Sequence, residues 1–143
     1  EKNQSFEIDR LLKEIISRYE NKNIQLSING TINFNGRFNS IKRCITNILN
    51  NAISYGNKAS VTLKKTKNNI IIYIDDDGPG IHPEERENVL KPFYRIDESR
   101  SQNKSGVGLG LSIASDIIRS HGGDIFLETS PQKGLRVKIS LPC

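Results

Sequence analysis

Three stretches of this chain carry residue types able to handle ring-amine, metal or phosphate chemistry, and none of them decides its role alone. The first is "IIIYIDDDGPGI", residues 70–81. Side chains alternate faces along a strand, so Ile70, Ile72, Ile74 and Asp76 share one side while Ile71, Tyr73 and Asp75 share the other. If the even set faces the core, Asp76 is a carboxylate aimed inward at the end of a buried strand. An ionised carboxylate buried without partners is very costly. A ligand amine would satisfy it, and the glycines let a flat ring approach the backbone closely. By the same parity Asp75 points outward, and Asp77 belongs to the turn. The alternative is a strand that ends in an ordinary exposed acidic turn.

The second stretch is "NILNNAISY", residues 47–55. Asn47, Asn51 and Tyr55 are spaced by four, so each step drifts only about 40° round a helix. They form one polar stripe bordering an apolar face. An Asn carbonyl there is a good hard-oxygen ligand for Mg²⁺, which usually keeps waters and phosphate oxygens as its other partners. The alternative is simple abundance of Asn, as at Asn21, Asn23, Asn68 and Asn69. The third stretch is "SGVGLGL", residues 105–111, running straight into a helix. Gly106, Gly108 and Gly110 leave backbone N–H groups free at a helix N-terminus, a ready phosphate cradle. It is not a dinucleotide fingerprint, because Ser101-Gln-Asn-Lys104 is no strand, and no Gly-Lys-Ser/Thr follows to make a P-loop. A glycine hinge is the alternative.

The elements that must position these residues follow from hydrophobic spacing. After a short extended piece, Leu11, Leu12, Ile15, Ile16 and Tyr19 form the stripe of an amphipathic helix. "IQLSI" alternates as a strand, Asn29-Gly30 offers a turn, and "INFNG" is a second, shorter strand. A long helix over "FNSIKRCITNILNNAISYGN" carries Ile41, Cys44, Ile45, Ile48, Leu49 and Ala52 on its apolar face, with Ser40 as its cap and Gly56 as its stop. "ASVTLKKTKNNIIIYIDD" reads as a hairpin. A polar stretch from His82 to Ser105 holds a short helix around Glu84–Leu90. A last helix ends at Gly122-Gly123, and "DIFLETS" and "LRVKISLP" are strands joined by "PQKG". Helices and strands mix without regular βαβ alternation, which predicts a two-layer α/β sandwich covered on one face.

The chain's 143 residues suffice for one domain with a core. No apolar run approaches the roughly 20 residues that cross a bilayer. A net charge of +5 suits an anionic ligand or partner, while the absence of a dense Lys/Arg block with interleaved aromatics disfavours nucleic acid. Cys44 on an apolar face and Cys143 at the end read as a packed thiol and an incidental one, a pattern of reducing compartments. A start at Glu1 rather than Met gives the expectation of a piece excised from a longer protein.

Taken in order, the N-box-like "NILNNAISY", the G1-like "DDGPGI", the F-box-like "KPFYR" and the G2-like "GVGLGL" resemble the GHKL family of ATP-binding domains. Within it they resemble the catalytic domain of sensor histidine kinases. "YGN", "DDGPGI" and "KGLRV" look most like the EnvZ osmosensor branch. The resemblance covers roughly residues 40–142. It implies a Bergerat fold, a mixed sheet of about five strands with three helices on one face, and a single catalytic ATP-binding domain over 1–143. By motif position, Asp76 would accept a hydrogen bond from the adenine amino group, in a pocket shaped by Gly78, Gly80 and Ile81. Asn51 would bind Mg²⁺, Asn47 would support the phosphates or the ion's waters, and Tyr55 would pack near the adenine. Residues 82–105 would form the ATP lid, with Phe93 as its anchor and Arg95 and Arg100 as candidate cations. Gly106, Val107, Gly108, Leu109, Gly110 and Leu111 would hold phosphates. Two positions depart from the family pattern. Ser54 stands where many kinases have Lys or Arg, so phosphate charge falls to Lys58, Arg100 or Lys104. Leu135 stands where many members have Thr, which leaves open how the usual Gly-Thr contact is made.

The same fold serves ATPases such as gyrase, Hsp90 and MutL, which carry a Glu one helical turn before the Mg²⁺ Asn. Here that position is Asn47, and an amide cannot take a proton from water. The resemblance therefore implies a histidine kinase: Mg-ATP donates its γ-phosphoryl to a His on a separate dimerisation hairpin, for relay to a response regulator Asp. His82 and His121 lack the acidic helical context of such an acceptor and read as surface or capping residues. No catalytic residue is assigned within this fragment. The expected parent is a dimeric inner-membrane sensor with this unit, itself monomeric, in the cytoplasm. The runner-up is an anti-sigma-factor-like serine kinase or a nucleotide-switch binding module of the same family.

Overall fold

A computed structural model of the chain describes residues 1–19, 23–91 and 107–143, with backbone alone at 107–109. The elements run β1 (Gln4–Glu7), α1 (Ile8–Ser17), β2 (Asn23–Ile28), β3 (Asn33–Gly36), α2 (Phe38–Tyr55), β4 (Lys58–Lys65), β5 (Asn69–Asp76), α3 (Val107–Ser120), β6 (Asp124–Thr129) and β7 (Leu135–Pro142). Five strands form one sheet in the order β2-β4-β5-β7-β6. The β2–β4 pair is parallel and the others antiparallel, so the sheet is mixed. This is the two-layer α/β architecture that the element pattern predicts.

The isoleucine-rich β5 lies at the centre, where both of its edges are hydrogen-bonded. Register fixes its inward layers: Ile72 lies between Leu63 and Ile139, and Ile74 between Val61 and Val137. Against them pack Ile41, Ile45, Ile48 and Leu49 of α2, Leu111, Ala114 and Ile118 of α3, and Leu11, Leu12 and Ile15 of α1. Each such side chain contributes about 1.5–3 kcal/mol by leaving water. β5 is therefore a rigid rod whose last residue, Asp76, is delivered to the edge of the helical layer.

β1 and β3 form a separate two-stranded antiparallel sheet. Phe6 and Phe34 face each other across it with rings edge-on at 5.8 Å, and Phe38 adds a second edge contact to Phe6 at 5.1 Å. Such aromatic pairs explain why β3 joins β1 rather than continuing from β2.

Two local expectations need correction. Ser40 does not cap α2. The helix begins at Phe38, and the Glu1 carboxylate accepts from Asn39 N–H (2.6 Å), Ser40 N–H (3.1 Å) and Ser40 Oγ (2.9 Å). Those contacts, the Asn39 N–H first, hold the Glu1 carboxyl below its usual range. The short helix near Glu84–Leu90 is instead two 3-10 turns, Pro83–Glu85 and Asn88–Leu90. His121 takes the capping role expected of it: half-buried after α3, its Nδ1 faces the Ile117 carbonyl of the last turn (2.8 Å), and its Nε2 accepts from Arg37 N–H (3.1 Å). Gly122 (φ 78°) ends α3 as expected, and Gly123 N–H returns to Ile118 O at 3.0 Å. Cys44 is buried and Cys143 exposed, both as free thiols. Among the described residues, no helix is long and apolar enough to cross a membrane.

Candidate functional site

The site is strung along one edge of α2. At its first station Asn47 faces the start of α3: a β-carbon placed on Gly110 would lie 4.0 Å from the Asn47 β-carbon. One turn later comes Asn51, only 8% exposed, whose Oδ1 is buried without a hydrogen-bond partner among the described residues. Buried polar atoms of a folded chain are almost always paired, so an orphaned carbonyl oxygen asks for an explanation. A further turn on, Tyr55 ends the helix with its carbonyl over Gly78. A β-carbon on Gly78 would sit 2.7 Å from that oxygen, so only glycine fits.

β5 brings Asp76 to the same place. Asp76 is 4% exposed, and its Oδ1 accepts from Gly78 N–H (2.9 Å) and Leu135 N–H (3.1 Å). Both donors are main-chain groups, so the carboxylate is held by backbone geometry. Leu135 therefore reaches Asp76 through its main chain, and its own side chain is buried. Gly80 takes a positive φ of 73°, turning the chain so that Ile81 packs into the core.

The two flanking acids do other work. Asp75 lies on the opposite sheet face as parity requires, yet it is not solvated. It is 3% exposed because Arg136, its partner on β7, grips it with Nε at 2.7 Å and Nη2 at 3.0 Å. The same guanidinium stacks over Tyr73 at 4.1 Å. Asp77 accepts from Asn57 N–H (2.6 Å) and Lys58 N–H (2.9 Å). These donors, Lys58 first, pull its carboxyl below the ordinary value and tie the exit of α2 to the exit of β5.

The helix α3 already begins at Val107, so the glycine motif forms its first turn rather than a preceding loop. The N–H groups of Val107, Gly108 and Leu109 then fall among those that an α-helix leaves without internal partners, at its positive end. Leu111 is wholly buried. Lys58 lines a groove with Asn23, Ile24, Ile53 and Ser54, its main chain tied to Asp77 beside the site. Phe93, Arg95, Arg100, Lys104 and Gly106 lie outside the described residues.

Sequence spacing missed four contributors. Ser130 Oγ donates to the Asp76 carbonyl (2.6 Å) and accepts from Gly134 N–H (2.9 Å). Arg86 donates from Nε to Ile81 O (3.0 Å) and from Nη2 to Thr129 Oγ1 (2.9 Å), fastening the loop after β5 onto the end of β6. "KGLRV" was the one available signal for this corner. Among the described residues no group of three His, Cys, Asp or Glu could hold a metal ion. The Asn51 oxygen nonetheless fits a Mg²⁺ ion that takes its remaining ligands from phosphates and water.

A mixed sheet with helices on one face, a buried acid at a strand end and a glycine-rich helix start together define an ATP-binding α/β unit. The chain belongs to the histidine kinase-, DNA gyrase B- and HSP90-like ATPase family, whose model matches residues 36–143. It is 36% identical to sensor histidine kinase CpxA of Escherichia coli strain K12, over 97% of this chain and 32% of that protein. It is 33% identical to sensor protein SrrB of Staphylococcus aureus strain NCTC 8325, over 94% of this chain and 25% of that protein. The chain thus spans a third or less of the length of these relatives. The catalytic domain of histidine kinase ThkA has the same fold, with a TM-score of 0.86 at 24% identity, covering 99% of this chain and 98% of that one. Mycobacterial sensor histidine kinase MprB gives 0.81, also at 24% identity, over 98% and 97%.

Proposed function

We propose that this chain is the catalytic ATP-binding domain of a two-component sensor histidine kinase, most like the EnvZ osmosensor branch. It binds Mg-ATP and passes the γ-phosphoryl to a His on a separate dimerisation hairpin, for relay to a response regulator Asp. The observation that carries the reading is the convergence on α2: Asp76 and Gly78 at its C-terminal end, the unpartnered Asn51 oxygen in the middle, and the first turn of α3 at Asn47. Base, metal and phosphate positions thereby fall in line.

In this reading Asp76 accepts from the adenine amino group, with Gly78 and Gly80 admitting the ring and Tyr55 packing beside it. Asn51 would hold Mg²⁺, which when bound would supply charge neutralisation for the phosphates. The free N–H groups of 107–109 and the Asn47 amide orient the phosphates. Residues 82–105 serve as the lid, with Phe93 as anchor and Arg95, Arg100 and Lys104 as cations toward the phosphates.

Asn47 cannot take a proton from water, so this chain offers no base for hydrolysis at that position and keeps the γ-phosphoryl for another acceptor. Neither histidine suits that role. His82 is exposed ahead of a 3-10 turn, and His121 has both ring nitrogens engaged. The acceptor belongs to a partner segment, in a parent that is a homodimeric inner-membrane sensor with this unit in the cytoplasm.

Two measurements test the proposal. Calorimetry should give Mg-ATP binding that Asp76→Asn weakens by at least tenfold, and an unchanged affinity would remove the adenine assignment. Incubated with labelled ATP, the domain alone should stay unlabelled while a supplied hairpin gains acid-labile phosphate. Acid-stable label on a partner would point to a serine kinase instead.

A further inference from the structure

The connection from β6 to β7 is docked onto Asp76 by a set of contacts that strand pairing does not require. The ladder between β5 and β7 ends at Asp75 opposite Arg136. In a continued ladder the next pair would be Asp76 with Leu135. Instead, Leu135 sends its N–H to the Asp76 carboxylate (3.1 Å), and the Asp76 main-chain carbonyl is taken by the Ser130 hydroxyl (2.6 Å).

Ser130 is 4% exposed and fully engaged, since its Oγ also receives Gly134 N–H (2.9 Å). The turn that presents it is closed by Ser130 N–H to Gly134 O (3.0 Å) and Lys133 N–H to Ser130 O (2.9 Å), with Lys133 in the left-handed region at φ 70°. Gly134 lies so near that a β-carbon on it would sit 2.2 Å from the Asp76 carbonyl oxygen and 2.5 Å from Asp76 Oδ1. One hydroxyl therefore fixes the Asp76 main chain and, through Gly134, aims the adjacent N–H at the carboxylate.

We infer that Ser130 is a positioning residue for base recognition: it sets the Asp76 carboxylate for the ligand's exocyclic amine. The inference rests on the reading of Asp76 as the adenine acceptor. Misplacing a buried hydrogen-bonding group weakens what it recognises, while contacts elsewhere on the ligand persist.

The test compares Mg-ATP with the triphosphate of purine riboside, which lacks the 6-amino group, by calorimetry on the whole chain. Wild type should prefer ATP. Ser130→Ala should bind ATP about tenfold more weakly and purine riboside triphosphate unchanged, so that discrimination falls by the same factor. Ser130→Thr, which keeps the hydroxyl, should restore it, and Gly134→Ala should lose it from the other side of the contact. Should Ser130→Ala melt below the assay temperature, Ser130→Cys is read in its place. Equal weakening toward both ligands would mark Ser130 as merely structural, and intact discrimination in Ser130→Ala would equally overturn the inference. A wild type that fails to distinguish the two ligands would instead remove the Asp76 assignment on which it rests.

Discussion

Asp75 and Asp76 are neighbours in the chain that face opposite sides of one sheet, the first gripped by the Arg136 guanidinium and the second by two backbone N–H groups. The same residue type thus serves structure on one face and recognition on the other. Arg136→Ala removes the guanidinium that both pairs with and covers Asp75, and should cost about 1–3 kcal/mol of stability in urea unfolding. Its effect on ATP affinity should be small while the protein stays folded. Asp76→Asn should do the reverse, because the amide oxygen can still accept from Gly78 and Leu135 but no longer offers a charged acceptor. A variant pair with the effects exchanged would show that the two acids have been assigned to the wrong faces.

Asn51 should trade stability for binding. Its Oδ1 is buried and unpartnered among the described residues, a condition that typically costs about 1–3 kcal/mol. Asn51→Leu removes the orphaned oxygen and should raise the nucleotide-free unfolding free energy by about 1 kcal/mol, while abolishing the magnesium dependence of ATP binding. Denaturant titration and calorimetry with and without Mg²⁺ read the two effects separately. Lower stability in Asn51→Leu would mean that packing at this position outweighs the unpaired oxygen.

The two thiols should differ sharply in reactivity. Cys44 is fully buried against the Ala114 carbonyl, and burial pushes its thiol up to about 12, whereas Cys143 is exposed. Thiolate is the reactive form. At pH 8 an aromatic disulfide reagent should titrate one thiol at once in the native protein. The second should appear only on unfolding, at a rate reporting opening of the α2–α3 layer. Two fast thiols would contradict the packing of Cys44.

Asp77 gives a pH signature. Its folded-state carboxyl lies below the ordinary 3.8 because Lys58 and Asn57 N–H groups donate to it. A depressed carboxylate stabilises the fold fully above its unfolded value and loses that contribution as pH falls through the folded one. Asp77→Asn should therefore be less stable than wild type at pH 6, with the difference closing below about pH 4. Urea unfolding across that range checks it, and a pH-independent difference would place the effect in packing rather than charge.

Much of the fold was legible because it is local. The stripe of Ile41, Ile45, Ile48 and Leu49 announces α2, and alternation along β5 correctly turned Asp76 inward. What escaped depends on partners far away in sequence. Asp75 reads as a solvated acid until Arg136 is folded over it, α2 finds its cap at Glu1 rather than at Ser40, and Ser130 acquires its role only when the β6–β7 turn docks on Asp76. Spacing rules describe a single element's faces. They carry no information about which distant donor will arrive there.

The stations on α2 make that helix a ruler. Four residues of α-helix advance about 6 Å, so the intervals from Asn47 to Asn51 and from Asn51 to Tyr55 are set by counting residues rather than by loop shape. One residue inserted between them would rotate everything beyond it by about 100°, swinging Tyr55 away from Gly78 or Asn47 away from Gly110. The turn at Thr66–Asn69, closed by its own hydrogen bonds, has no such gauge to keep. Length variation should be tolerated there and forbidden across nine residues of α2, a constraint on evolution written in helical pitch.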